Sequence, residues 1–131
     1  MKRLLIVDDD TSVFEPLSEI LEGLYELDFA SSGLEALERL EARRPDAMLL
    51  DIRMDGLNGL ELLDQHAEEL RAEPPIKIVI YTSLSRVAKE WDSFYETWQA
   101  RDLVAGALDK AQAVEPDFVD RLKGLLGKAM R

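Results

Sequence analysis

Three consecutive acids, Asp8, Asp9 and Asp10, follow a short apolar run at residues 4–7. At about 4 Å and an effective dielectric constant near 20, two such carboxylates repel each other by roughly 4 kcal/mol. Either solvent disperses these charges or a bound cation compensates them. Carboxylate oxygens are hard ligands that suit Mg²⁺. The pattern therefore indicates a candidate metal site near the start of the chain.

Three further polar residues, Asp51, Thr82 and Lys110, each stand at the end of another apolar run. An aspartate can act as a nucleophile and form an aspartyl phosphate. A hydroxyl and a compact ammonium can both contact phosphoryl oxygens, and a metal ion can neutralise their charge. If the fold brings these side chains to the acids at 8 and 9, they describe a site that accepts a phosphoryl group.

The runs that carry these residues alternate with helical patterns along the chain. Short, branched apolar runs predict five strands, at residues 3–7, 25–30, 47–51, 76–82 and 106–110. Apolar residues at helical spacing predict five helices: about 12–24, from Ser32 to Pro45, 60–70, 85–103, and from Phe118 to Leu126. Capping-box spacing marks the start of the first two helices, at Ser12 with Glu15 and at Ser32 with Glu35.

Strands that alternate with helices predict an α/β fold, a doubly wound five-stranded parallel sheet with helices on both faces. The expected strand order is the flavodoxin-like 2-1-3-4-5. Such sheets bind ligands beyond the carboxyl ends of their strands, where the strand order reverses between the first and third strands. We therefore expect Asp8, Asp9 and Asp51 to meet at one edge, with Thr82 and Lys110 beside them.

The composition limits the possible functions. A chain of 131 residues, 47% hydrophobic and 33% charged, is typical of one globular domain. A net charge of −11 and the lack of a Lys/Arg-rich run argue against direct nucleic-acid binding. Without cysteine the chain has no disulfides and no thiolate metal site. The apolar runs are too short for a signal peptide or a membrane span, so we expect a soluble, cytoplasmic protein without membrane insertion.

Four segments resemble, in order and nearly in spacing, the response-regulator receiver domains of two-component signalling, which include CheY-like proteins. They are LLIVDDD (4–10), MLLDIRMDGLNG (48–59), IVIYTS (78–83) and ALDK (107–110). The resemblance extends over essentially the whole chain and implies a single receiver domain, residues 1–131. This domain would be either a stand-alone regulator or the receiver of a longer protein.

The resemblance also implies a role for individual residues. Asp51 would be the phosphoacceptor. Asp8 and Asp9 would bind Mg²⁺ together with Asp51 and the backbone carbonyl of Arg53. A chain of this kind acts as a phosphoryl acceptor with slow self-dephosphorylation, so we do not expect a metabolic enzyme.

Two further residues and the partners follow from the same resemblance. Thr82 resembles the switch hydroxyl of the family, and Lys110 its phosphoryl-binding lysine. The phosphodonor would be a phosphohistidine on a sensor histidine kinase or a histidine phosphotransfer protein. A downstream protein would bind the surface formed by the fourth helix, the fifth strand and the fifth helix.

Several positions depart from the family pattern and keep two alternatives open. Asp55 stands where a proline is usual, Ala107 where an aromatic residue is common, and Ala111 in place of a proline after the lysine, so a cis peptide is not expected there. The segment from Thr82 to Lys110 is also a few residues longer than usual. These departures favour a phosphorylation-independent pseudo-receiver. A Mg²⁺-dependent phosphohydrolase is the other alternative; it usually has a second acid two residues after the nucleophile, where this chain has Arg53.

The remaining conspicuous residues have structural interpretations. We expect Asp10 to be a solvated residue at a helix start, Gly56 and Gly59 to form a tight turn, and His66 to be a solvated helix residue. The fourth helix carries an aromatic group, Trp91, Phe94, Tyr95 and Trp98, of which Trp91 and Trp98 should pack onto the sheet. Because adjacent helical residues cannot face the core equally, Phe94 or Tyr95 is expected to be exposed as part of a partner-binding patch.

Overall fold

A single parallel sheet forms the centre of the protein. The structure, a computed structural model, describes residues 1–96 and 102–130, with only the backbone described at positions 86–88 and 90. The sheet has the order β2-β1-β3-β4-β5, which confirms the predicted topology. Its strands are β1 (Arg3–Val7), β2 (Glu26–Ala30), β3 (Ala47–Leu50), β4 (Lys77–Thr82) and β5 (Val104–Asp109).

Helices cover both faces of this sheet. They are α1 (Phe14–Leu21), α2 (Gly33–Ala42), α3 (Gly59–Gln65), α4 (Ala67–Arg71), α5 (Leu84–Tyr95) and α6 (Phe118–Ala129), with 3₁₀ turns at Thr11–Val13 and Lys110–Gln112. Helices α1 and α6 pack on one face, and α2, α3, α4 and α5 contribute to the core on the other. Alternate residues of β4 enter the two cores, as the period of a strand requires. The central strand β3 is buried throughout, which fits a sheet covered on both sides.

The third predicted helix is in fact two helices, α3 and α4. The backbone leaves the helical conformation at His66 (φ −120°, ψ 19°) and resumes it at Ala67. Leu63 and Leu70 are nevertheless both fully buried, so the apolar stripe is preserved across the break. The prediction of a solvated His66 within a helix was wrong: its ring is partly buried at the break, with Nδ1 3.2 Å from Oε1 of Glu69.

The first helix also differs from its prediction. The side chain of Asp10, rather than Ser12, caps the chain here by accepting a hydrogen bond from the Ser12 amide (3.1 Å). A 3₁₀ turn follows before α1 begins. The helix ends at Leu21, because the backbone leaves the helical conformation at Glu22 (φ −56°, ψ 135°). Gly23 follows with a positive φ of 82°, a conformation that residues with a side chain rarely adopt. The predicted cap at Ser32 is present, since its hydroxyl accepts from the Glu35 amide (3.0 Å). The reciprocal bond of the capping box differs, because the Glu35 carboxylate accepts from the Ser31 amide (3.2 Å).

The fourth predicted helix, 85–103, corresponds to α5, which ends at Tyr95, well before residue 103. The fifth corresponds to α6, which continues past Leu126 to Ala129. Trp91 is buried and Phe94 is partly buried against the core, whereas Tyr95 is 41% exposed, as expected for one of two adjacent aromatic residues. The prediction for Trp98 lies outside the described residues. Among the helices that the structure describes, none has the length and apolar character needed to cross a membrane.

Candidate functional site

Three acids converge at the carboxyl ends of β1 and β3. Val7 pairs with Leu50 in the sheet register, so the residues that follow them leave adjacent strands side by side. The Asp51 amide donates to the Val7 carbonyl (3.0 Å), which holds the two strand ends together. One carboxylate oxygen from each of Asp8, Asp9 and Asp51 lies within 4.8 Å of the other two. The predicted convergence is therefore observed.

Burial makes this concentration of negative charge costly. Asp8 is 2% exposed and Asp51 5%, whereas Asp9 is exposed. Burial raises the pKa of Asp8 to about 6, because the charged carboxylate loses hydration, although hydrogen bonds from Lys110 and the Asp10 amide act in the opposite direction. Three carboxylates, one of them open to solvent, fit the oxygen ligands that Mg²⁺ requires together with water.

Thr82 and Lys110 both contact the carboxylate of Asp51. The Thr82 hydroxyl, which is fully buried, donates to Oδ1 at 2.5 Å. The Lys110 ammonium donates to Oδ2 at 3.1 Å and lies 2.6 Å from Oδ2 of Asp8. Burial by itself would lower the pKa of Lys110, but the two carboxylates raise it overall, so the ammonium stays charged. Each oxygen of Asp51 thus has a donor from a different strand end.

The loop that follows β3 contributes backbone contacts. The Arg53 amide donates to Oδ1 of Asp51 at 3.2 Å. The predicted tight turn is present: Gly56 has a φ of 74°, and the Gly59 amide donates to the Ile52 carbonyl at 2.8 Å. A β-carbon at Gly59 would lie 2.5 Å from the carbonyl oxygen of Asp51. A side chain at position 59 would collide with the backbone of Asp51, so the last residue of this turn must be glycine.

An open cleft of about 670 Å³ leads to these groups. Its lining includes Asp9, Asp51, Arg53, Thr82 and Lys110, which are five of the six predicted site residues. Asp55 lies exposed at the rim, and its amide donates to Oδ2 of Asp9 at 3.4 Å. Asp10 also lines the cleft, but its carboxylate caps the following turn, as expected of a solvated residue at a helix start.

Two positions that support the site were not found from the sequence. Gly33 begins α2 so close to the loop after β3 that a β-carbon there would collide with the Leu57 carbonyl. The ring of Tyr81 lies 5.8 Å from the Lys110 ammonium. The sequence shows only that Tyr81 directly precedes Thr82. Its contact with Lys110 becomes visible in the folded sheet.

Taken together, these groups form a carboxylate that is accessible from a cleft, contacted by a hydroxyl and an ammonium, and adjacent to two further acids. The model of the response regulator receiver domain family matches residues 4–114. The chain belongs to the response regulator receiver domain family. Receiver domains are in general phosphoacceptors of two-component signalling rather than metabolic enzymes.

Curated relatives resemble this receiver domain over part of its length. Response regulator MprA of Mycobacterium ulcerans (strain Agy99) is 45% identical over 64 residues, which is 48% of this chain and 28% of the relative. MprA of Mycobacterium tuberculosis (strain ATCC 25618 / H37Rv) is 44% identical over a match that covers the same shares. The chain thus matches less than a third of the length of these relatives.

Solved structures resemble the receiver domain over nearly its whole length. A CheY-like response regulator receiver domain protein from Methanospirillum hungatei JF-1 has a TM-score of 0.75 at 27% identity, covering 98% of this chain and 96% of that one. Response regulator protein TrrA from Thermotoga maritima, solved in complex with Mg²⁺-BeF, has a TM-score of 0.74 at 31% identity, covering 98% and 99%.

Proposed function

We propose that this receiver domain accepts a phosphoryl group on Asp51 from a phosphohistidine, with Mg²⁺ bound by Asp8, Asp9, Asp51 and the backbone carbonyl of Arg53. One observation carries the proposal. The Asp51 carboxylate receives hydrogen bonds from Thr82 and Lys110 at the base of an open cleft, and two more carboxylates lie within 4.8 Å. The complex of the similar protein TrrA with Mg²⁺-BeF supports the same choice of metal.

The transfer step uses the nucleophilic oxygen of Asp51. This oxygen attacks the phosphorus atom, the phosphorus–nitrogen bond of the donor breaks, and the imidazole nitrogen keeps the electron pair. Bound Mg²⁺ supplies neutralisation of the charge on the phosphoryl oxygens. In slow dephosphorylation, a water oxygen attacks phosphorus, the bond to Asp51 breaks, and inorganic phosphate leaves.

Thr82 and Lys110 stabilise the acceptor before transfer and the phosphoryl group after it. Before transfer, Thr82 donates a hydrogen bond to one oxygen of the Asp51 carboxylate and Lys110 to the other. Once one of these oxygens carries phosphorus, the ammonium of Lys110 gains a more highly charged acceptor within reach. The hydroxyl of Thr82 can likewise turn to a phosphoryl oxygen. These changes would shift the population between two packings of the domain.

The partners in this proposal are other proteins. A sensor histidine kinase or a histidine phosphotransfer protein would supply the phosphoryl group at the open cleft, in the cytoplasm. A downstream protein would bind the surface formed by α5, β5 and α6. The exposed ring of Tyr95 on α5 supports a contact there.

A pseudo-receiver that signals without phosphorylation is the second candidate. The half-buried methyl group of Ala107 occupies the position where an aromatic residue is common in the family. Asp55 adds a further negative charge at the rim of the cleft. Both features favour a weaker conformational response to phosphorylation than is usual in the family. Neither of them removes a group that contacts Asp51.

Labelling by acetyl phosphate in the presence and absence of Mg²⁺ tests the proposal. Intact mass should show one phosphoryl group on the wild type with Mg²⁺, and none on Asp51→Asn. Asp64→Asn, which removes an exposed acid of α3, is the matched control and should label normally. A wild type that stays unlabelled at millimolar donor and Mg²⁺ would establish the pseudo-receiver. Rapid turnover of many small phosphate esters would instead indicate a phosphohydrolase.

A further inference from the structure

Tyr81 directly precedes Thr82 in β4 but faces the opposite side of the sheet. Because side chains alternate along a strand, Thr82 points to Asp51 while Tyr81 enters the core beneath α1 and α6. Its ring is 7% exposed. The two residues therefore contact different parts of the same site.

The Tyr81 ring contacts both the site and α6. The Lys110 ammonium lies over the ring, 5.8 Å from its centroid, which is within the range of a cation–π interaction. The ring of Phe118, the first residue of α6, has its centroid 5.7 Å from that of Tyr81 at an interplanar angle of 40°. One buried side chain thus contacts both the lysine and the start of a helix.

On the opposite side of the sheet, alanine stands at position 107, where the family commonly has an aromatic residue. Ala107 packs against the core formed with α2 to α5, and its methyl group offers no ring to follow a movement of Thr82. Lys110, in contrast, contacts an aromatic ring as well as Asp8 and Asp51. The contact between Lys110 and Tyr81 therefore links this site to the α6 side of the sheet.

We propose that Tyr81 is a positioning residue that holds the Lys110 ammonium beside Asp51 and transmits a displacement of that ammonium to Phe118. The ring face attracts the cation, and burial keeps water from weakening that attraction. Because the core is close-packed, a shift of the ring must be accommodated by its neighbour at the start of α6. The positioning part is independent of phosphorylation, whereas the transmission part rests on the proposed function.

The positioning part is tested in metal-free, unphosphorylated protein. The proton chemical shifts of the Lys110 ε-methylene group should carry a ring-current shift in the wild type and in Tyr81→Phe. Tyr81→Leu should lose this shift. Phe29→Leu is the matched control: it removes a ring that contacts Phe14 in the core on the same side of the sheet, and it should leave the Lys110 shifts unchanged.

The same variants are then labelled with acetyl phosphate and Mg²⁺. Tyr81→Leu should label about 3- to 10-fold more slowly than the wild type, since loss of a cation–π contact misplaces the ammonium. Tyr81→Phe should label at close to the wild-type rate, and so should Phe29→Leu. If Tyr81→Leu does not fold, as judged by thermal unfolding, Tyr81→Met removes the ring while filling the space with a flexible apolar side chain.

Beryllium fluoride with Mg²⁺ tests transmission without any transfer step. The amide resonances of residues 118–122 should shift on its addition in the wild type and in Tyr81→Phe, but not in Tyr81→Leu. Unchanged Lys110 shifts in Tyr81→Leu, or a Tyr81→Phe variant that behaves like Tyr81→Leu, would overturn the inference. Failure of the wild type to label would overturn the proposed function instead, because the metal-free measurement of Lys110 does not depend on it.

Discussion

At the scale of single residues, one ammonium ion contacts two of the carboxylates that are proposed to bind Mg²⁺. Lys110 lies 2.6 Å from Asp8 and 3.1 Å from Asp51, so it compensates carboxylates that also belong to the candidate Mg²⁺ site. Removing it leaves two buried charges without their cation, which is costly. A Mg²⁺ ion bound there would compensate the same carboxylates as the lysine and would compete with it for them.

Lys110→Met should separate these two effects. In metal-free solution we expect the variant to lose about 1–3 kcal/mol of unfolding free energy, because buried acceptors lose a donor. We also expect tighter Mg²⁺ binding, since no ammonium competes for the carboxylates, together with slower labelling by acetyl phosphate. Chemical denaturation with and without Mg²⁺ measures the first two effects. An unchanged or weaker Mg²⁺ affinity would contradict the prediction.

Asp8 should make the metal-free protein less stable as the pH rises. Its pKa is about 6 in the folded protein and 3.8 ordinarily, so between these values the folded state binds more protons than the unfolded state. The free energy of unfolding therefore falls as the pH increases through this interval, by at most about 3 kcal/mol from this group. Denaturation at pH 4 and pH 7 should show this contribution in the wild type and not in Asp8→Asn. Equal pH dependence of the two proteins would refute it.

At the scale of elements, the turn between β3 and α3 depends on close backbone approach. Glycine at position 59 allows α3 to begin against the backbone of Asp51 and Ile52. These neighbours are main-chain atoms of the strand end, so they cannot turn away as a flexible side chain could. The position of the acceptor and the start of α3 are consequently linked.

Gly59→Ala should therefore displace the acceptor. We expect a loss of about 1–3 kcal/mol in unfolding free energy, typical of overpacking, and slower labelling of Asp51. Gly124→Ala is the control, because α6 has open space at that position and alanine should stabilise a helix interior by about 0.5–1 kcal/mol. Thermal unfolding of both variants measures the difference. A stabilised Gly59→Ala would show that the turn has room.

At the scale of the whole molecule, a net charge of −11 coincides with a site of three converging acids. A divalent cation bound only by the folded state stabilises that state by mass action. At a Mg²⁺ concentration about 100 times its dissociation constant, we expect about 2.7 kcal/mol of added unfolding free energy. Asp51→Asn should reduce this gain, whereas Asp64→Asn should retain it. Denaturation across a Mg²⁺ titration measures both, and an equal gain in the two variants would exclude the proposed metal ligands.

Much of the fold was predictable from local pattern. Branched apolar runs at residues 3–7 and 47–50 have few alternatives to buried strands, and alternation with helices limits the topology to very few choices. The carboxyl ends of parallel strands share one edge, so Asp8, Asp51 and Thr82 could be expected together. Breaks such as the one at His66 could not be predicted, because the apolar spacing continues unchanged through them.

The sequence by itself determined the fold class, the residues at the strand ends and the family, because these follow from the alternation of strands with helices and from residue types at matched positions. Only the tertiary structure decided which contacts those residues make. Lys110 contacts Asp8 and Asp51, and Tyr81 contacts Lys110 and Phe118, although these residues are far apart in sequence. Gly59 approaches the Asp51 carbonyl across a single turn. Their distances depend on how the helices and strands pack in three dimensions, which a linear pattern does not record.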